Sequence, residues 1–360
     1  MSAGSPPHAW RAFDGVRGIL CLVVAAFHLK PRLAPGGPLT LEVFCVLSGF
    51  VIAHALWSDA DRVGRMPTIA YASRRAARVL PALLVTLVAF TLAAAAGWAT
   101  PAWGQVERDA WVAATFRANL TRAAGLDYPL LFGHTWSVAL EVQFYALLPL
   151  VLGACRLVST RPLVAAATTA LLGLASLAMR HAPWAVADIA WAYNAPASRL
   201  AAPMIGAALA LVRFEPGMRA RLDGWWGHPR VLTLTTVLLG ASFCVPWRRL
   251  GLLMPALTVA LLASVPLLVA AMPERSRDAG MADRLLRHPW SLWMGDVSYP
   301  FFLWHYPLFG ALFFAGWTWP WVAFIGLPTS LALAALVHHL VEWPAREWAR
   351  RVTRRPSPTP

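Results

Sequence analysis

Asp14-Gly15-Val16-Arg17-Gly18-Ile19-Leu20-Cys21-Leu22-Val23-Val24-Ala25-Ala26-Phe27-His28 decides how the chain is read. It is an apolar helix with a carboxylate and a guanidinium at its start and an imidazole at its end. Arg17 and His28 fall on one face, about three turns apart and roughly 16 Å along the axis. Two readings of that stripe stand side by side. In one, Arg17 snorkels at a membrane edge and His28 is a hydrogen-bonded packing residue. In the other, Arg17 holds an anion near one surface and His28 does proton chemistry deeper in.

Composition sets the class. Of the 360 residues, 58% are hydrophobic and 13% charged, and the mean hydropathy is +0.55. Soluble domains run nearer a quarter charged. The expected fold is all-α, a polytopic membrane bundle of about ten transmembrane helices. The runs lie near 14–30, 39–57, 79–98, 135–155, 162–179, 198–213, 230–247, 252–272, 297–316 and 321–343, the sixth being the weakest. The first has no basic n-region or cleavage site and reads as a retained span. The mixed segment 105–131 is expected in a loop or at the interface.

Placing the N-terminus in the cytoplasm puts most of the 31 Lys and Arg on the cytoplasmic side, with both termini inside. Residues 1–345 form one transmembrane domain, and 346–360 a basic, Pro-rich cytoplasmic tail expected to be disordered. The net charge of +14 lies between apolar runs, which excludes a nucleic-acid interface as its reading. Four Cys without CxxC spacing and scattered His give no disulfide framework and no metal site.

Several polar residues stand out within the apolar runs. Glu42 opens the second run and either faces water or serves a function. Ser48-Gly49 reads as a close helix contact. Arg75 and Arg78 share a helix face before Pro81, as headgroup anchors or as a phosphate clamp. Thr135 is a candidate N-cap, and Ser137, Glu141 and Tyr145 follow at i,i+4 spacing as a polar stripe. A carboxylate one to two turns inside a span needs a partner or a proton, so Glu141 marks a functional cavity. His305 lies mid-span, where a lone His is more often a packing residue. His338 and Glu342 are spaced to pair.

In order and spacing these residues resemble the acyltransferase-3 family of integral membrane O-acyltransferases. The resemblance rests on Arg17 and His28, Phe44-Cys45-Val46-Leu47-Ser48-Gly49-Phe50, Arg75-Ala76-Ala77-Arg78 with Pro81, and Trp136-Ser137 leading to Glu141 and Gln143-Phe144-Tyr145. It continues with Leu303-Trp304-His305 and with Glu342 and Pro344. The chain departs from the family pattern at Val142, which is commonly acidic, and at Glu42 and Phe44-Cys45, commonly Asp and paired aromatics.

The resemblance implies a multi-pass enzyme of the cell membrane, inner or plasma. It uses cytoplasmic acyl-CoA, commonly acetyl-CoA, as co-substrate, and its partner is a sugar hydroxyl on a glycan, lipid-linked sugar or glycosylated metabolite. His28 is then the general base with Glu141 as its partner. Arg17, Arg75 and Arg78 bind acyl-CoA, and Asp14, Glu42, Ser137, Tyr145, His305 and Glu342 support. The competing class is a proton-coupled transporter with His28, Glu141, His305 and Glu342 as a relay. The paired Arg at one mouth and the lack of an internal repeat favour the enzyme.

Overall fold

The computed structural model describes residues 10–98, 101–246, 248–272 and 281–353. Among them there are helices and turns but no strand. Each of the ten apolar runs contains a helix. Seven are long and apolar enough to cross a membrane: Arg11–Leu29, Gly37–Val63, Thr68–Ala95, Thr135–Val158, Pro162–His181, Gly251–Ala270 and Trp319–Thr353. A chain with this many such helices is a multi-pass membrane protein.

The expected ten is thus met in part, and length is the reason for two of the three that fall short. Ala201–Val212 and Pro229–Phe243 have 12 and 15 residues, or roughly 18 and 22 Å at 1.5 Å per residue, short of a hydrocarbon core of about 30 Å. Pro289–Phe314 has 26 residues, but Pro300, Pro307, His305 and its Trp and Tyr residues dilute its hydropathy.

The described residues form two compact units that interleave along the chain. One comprises residues up to Ala55, Arg122–Leu126 and Val151–Ser298. Its helices approach backbone to backbone. A Cβ at Gly49 would stand 2.0 Å from the Pro203 carbonyl oxygen, and one at Gly206 2.0 Å from that of Val46. This is the close contact expected of Ser48-Gly49, and it accounts for Gly206 in Ala201–Val212. At Gly18 a Cβ would meet Met294 and the Gly295 nitrogen at 2.8 Å. The first helix therefore lies tightly on the start of Pro289–Phe314.

The other unit comprises Leu56–Thr121, Asp127–Leu150 and the residues from Tyr299 onward. Thr68–Ala95 runs unbroken through Pro81 and packs on the last helix. Segment 105–131 is structured rather than a plain loop, with helices at Trp103–Ala114 and Ala118–Ala123. The Asn119 side chain is fully buried and exchanges two 3.0 Å hydrogen bonds with Gln143. Asp109, also fully buried, accepts the N–H groups of Leu130 at 2.6 Å and Leu131 at 3.1 Å. It thereby fixes the chain entering Thr135–Val158.

Asp109→Ala strands those donors, each worth about 1–3 kcal/mol if left unsatisfied. The unfolding midpoint of the reconstituted protein should fall by several degrees. An unchanged midpoint would show that the Asp109 clamp is dispensable.

The segment expected as a tail begins as helix. Trp343–Thr353 is helical, stabilised by i,i+4 contacts from Arg346 to Glu342 at 3.2 Å and from Arg351 to Glu347 at 3.3 Å. Residues 354–360 lie outside the described residues.

Candidate active site

The candidate residues divide between the two units. In the first, Arg17 donates to the Asp14 carboxylate at 3.1 Å, one turn away on the same helix. Its guanidinium lies 5.9 Å from the Phe44 ring centroid. The Arg17 side chain is only 15% exposed, so burial and Asp14 both restrict it. His28 is half-buried in the last turn of the helix, with its ring 5.5 Å from that of Phe27. The turn Gly37–Leu39 presses on Phe27, since a Cβ at Gly37 would fall 2.3 Å from the Phe27 Cβ. The second helix starts from that turn, so its first residues lie at the His28 end of this unit.

Glu42, in that first turn, does not face water. Its side chain is 1% exposed, and Oε1 takes Arg180 at 3.1 Å and Arg199 at 2.7 Å. Arg180 also donates Nε to the Ser198 carbonyl at 3.0 Å. Arg199 lies over the Tyr193 ring at 5.0 Å. Burial, the largest effect, raises the Tyr193 hydroxyl above its ordinary pKa. Arg199 opposes that rise, Glu42 adds to it, and Arg122 and Arg180 oppose it more weakly.

In the second unit the two candidate clamp residues have different surroundings. Arg78 faces Glu342 at 3.9 Å, and Glu342 is fully buried. That carboxylate also meets His338 at 3.1 Å and Arg346 at 3.2 Å. A π-helical turn, His338–Glu342, carries both His338 and Glu342; such turns are frequent at functional sites. Arg75 is half-buried between two aromatic rings, 5.6 Å from Tyr71 and 5.4 Å from Tyr145. Its Nε is buried without a hydrogen-bond partner. Among the described residues no carboxylate pairs with it. Arg75 is thus held by aromatic rings, whereas Arg78 meets a carboxylate.

The polar stripe of Thr135–Val158 converges on the same place. The Tyr145 hydroxyl donates to Glu141, while the Tyr145 ring supports Arg75. Ser137 instead donates to the His134 carbonyl at 3.1 Å. Thr135 donates to the Phe132 carbonyl at 2.6 Å, so its hydroxyl hydrogen bonds back rather than capping forward. Tyr299 donates to the Val79 carbonyl at 3.0 Å, next to Arg78.

His305 stands apart from these charges. It is fully buried, hydrogen bonds the Phe301 carbonyl at 2.9 Å, and is surrounded by Phe301, Phe302, Phe309 and His134. Among the described residues no group of His, Cys, Asp and Glu is arranged to hold a metal.

Sequence reasoning missed Tyr71, although it stands at i−4 from Arg75. It also missed Arg180 and Arg199, which no spacing rule connects to Glu42.

Curated relatives point the same way. The chain is 24% identical to the peptidoglycan O-acetyltransferase OatA of Listeria monocytogenes over 93% of its length, covering 56% of that protein. It is 25% identical to a putative O-acetyltransferase of Staphylococcus aureus over 96% of its length, covering 59% of that protein. The O-acetyltransferase OatA of Staphylococcus aureus is 30% identical over 41% of this chain and 25% of its own length. The chain thus spans less than two thirds of each of these relatives. No solved structure matches. The family described as "Acyltransferase domain" matches residues 10–339; the chain belongs to this acyltransferase-3 family.

Proposed function

We propose that the protein is a membrane O-acyltransferase that moves an acyl group, acetyl by its relatives' names, from cytoplasmic acyl-CoA to a sugar hydroxyl of a glycan. It sits as a multi-pass protein in the cell membrane. The observation that carries this reading is Arg75, a half-buried guanidinium supported by Tyr71 and Tyr145 and, among the described residues, paired with no carboxylate. Such a group suits a CoA phosphate. Arg78 assists while being held by Glu342. Arg17 lines the donor path on the helix that ends in His28.

The chemistry asks for a base. The acceptor oxygen attacks the thioester carbonyl, its proton passes to His28, and the C–S bond breaks to release CoA. Imidazole suits the proton transfer near neutral pH. Glu141 is the proposed carboxylate partner in this step. The transporter alternative draws less support. A relay would need His305 and Glu342 as open proton sites, whereas His305 is enclosed by aromatic rings and Glu342 already meets two Arg and a His.

The test is reconstitution. Protein in nanodiscs, given acetyl-CoA labelled in the acetyl group and solubilised peptidoglycan glycans, should release CoA and place label on sugar hydroxyls. Retention of all label on CoA with peptidoglycan, lipid-linked sugar and glycosylated metabolite acceptors alike would remove the assignment.

A further inference from the structure

Tyr71 and Arg75 stand one turn apart on Thr68–Ala95, with the guanidinium 5.6 Å from the Tyr71 ring. Tyr71 is 4% exposed, and among the described residues its buried hydroxyl has no hydrogen-bond partner. The Arg75 Nε is buried without an acceptor as well. Other tyrosines of this unit are engaged: Tyr145 donates to Glu141, and Tyr299 donates to the Val79 carbonyl at 3.0 Å. Two neighbouring buried donors, Tyr71 and Arg75, thus lack the same kind of partner, an acceptor.

Buried polar groups are nearly always hydrogen-bonded, and leaving a hydroxyl unpaired there is costly. A ring needed only to support Arg75 would do so as well if it were Phe. The Tyr71 hydroxyl therefore asks for a reason of its own. Tyr71 offers one O–H, Arg75 offers N–H groups in a planar fork, and the acceptor that suits both is an anionic oxygen. Arg75 is the half-buried member, so a ligand reaches it first. Its side chain is long and, among the described residues, is held by ring contacts and by no carboxylate. It can therefore shift to admit an oxygen to the sealed Tyr71 hydroxyl.

We propose that Tyr71 is an acyl-CoA-binding residue, its hydroxyl donating a hydrogen bond to the same phosphate that Arg75 holds. This rests on the acyl-CoA reading above and adds a residue to that site. CoA carries a diphosphate and a 3′-phosphate, and either presents the oxygens that the pair would take.

The experiment removes one oxygen. Tyr71→Phe keeps the ring and its contact with Arg75 and deletes only the hydroxyl. Wild type, Tyr71→Phe, Arg75→Ala and the double variant, each in nanodiscs, are titrated with acetyl-CoA, acetyl-dephospho-CoA and S-acetylpantetheine, which has no phosphate. Tyr71→Phe should bind acetyl-CoA about 10-fold or more weakly, as for a hydrogen bond to a charged group. Its affinity for S-acetylpantetheine should stay within about 2-fold of wild type, since no phosphate contact is lost there. The ligand-free unfolding midpoint should hold or rise, because the variant deletes an unpaired buried hydroxyl. In the Arg75→Ala background the same substitution should change acetyl-CoA affinity by less than about 2-fold, since the two side chains act on one phosphate. A loss confined to acetyl-CoA identifies the 3′-phosphate, and an equal loss with the dephospho form identifies the diphosphate.

Unchanged acetyl-CoA affinity in Tyr71→Phe overturns the proposal. So does an equal loss for all three ligands, which marks a packing defect, or a clear fall in the ligand-free midpoint, which marks a partner for the hydroxyl within the protein. A wild type that does not bind acetyl-CoA overturns the acyl-CoA reading itself, and the Tyr71 assignment with it. Phosphate-dependent binding that Tyr71→Phe weakens, without acetyl transfer to any acceptor, supports the Tyr71 assignment and counts against the enzymatic reading instead.

Discussion

His28→Ala should reduce acyl transfer by about 10²–10⁴-fold, the usual worth of a positioned general base. The measurement is label transfer from acetyl-CoA to glycan in nanodiscs, with acetyl-CoA affinity and unfolding midpoint as controls. Both controls should stay near wild type. His28 is half-buried in the last turn of its helix, where the backbone hydrogen-bond ladder is already ending. Near-wild-type turnover by a folded variant would end the base assignment. Label trapped on the wild type without acceptor, and lost in His28→Ala, would select an acyl-His intermediate over direct transfer.

Arg75→Ala should weaken acetyl-CoA binding about 10-fold or more, since a charge-assisted hydrogen bond is worth about 1.5–3 kcal/mol. The fold should tolerate the change. Arg75 gives up two cation–π contacts, each about 0.5–1 kcal/mol at exposed sites, and orphans no carboxylate. Arg75→Lys should recover only part, because the planar fork is lost. Arg78→Ala should behave differently. It removes a partner from fully buried Glu342, so loss of thermal stability should accompany any loss of affinity. Equal acetyl-CoA affinity in Arg75→Ala and wild type would move the donor site elsewhere.

The helices are legible in the sequence because apolar runs of about 20 residues have few other fates. Their true lengths are less so. Ala201–Val212 is enclosed by neighbours and needs no hydrocarbon span of its own, and nothing in its composition separates that case from a short membrane crossing. Contacts within one helix are legible too, as with Asp14 and Arg17 or His338 and Glu342, since spacing alone places them. Contacts between distant segments are not. Glu42 reads equally well as water-facing, and only the folded chain brings Arg180 and Arg199 to it. Asp109 sits in an unremarkable polar stretch, yet its buried carboxylate holds two backbone N–H groups. The unequal surroundings of Arg75 and Arg78 arise the same way, since only Arg78 meets Glu342.

The pairing of Arg78 with Glu342 also bears on biosynthesis. At roughly 5–20 residues per second, the ribosome delivers Glu342 on the order of 10–50 s after Arg78. For that interval the third helix, with Arg75 and Arg78, resides in the insertion machinery or the lipid before this carboxylate exists. A nascent chain cut short before Glu342 therefore carries Arg78 in a helix without the carboxylate and the helix that it packs against in the finished chain.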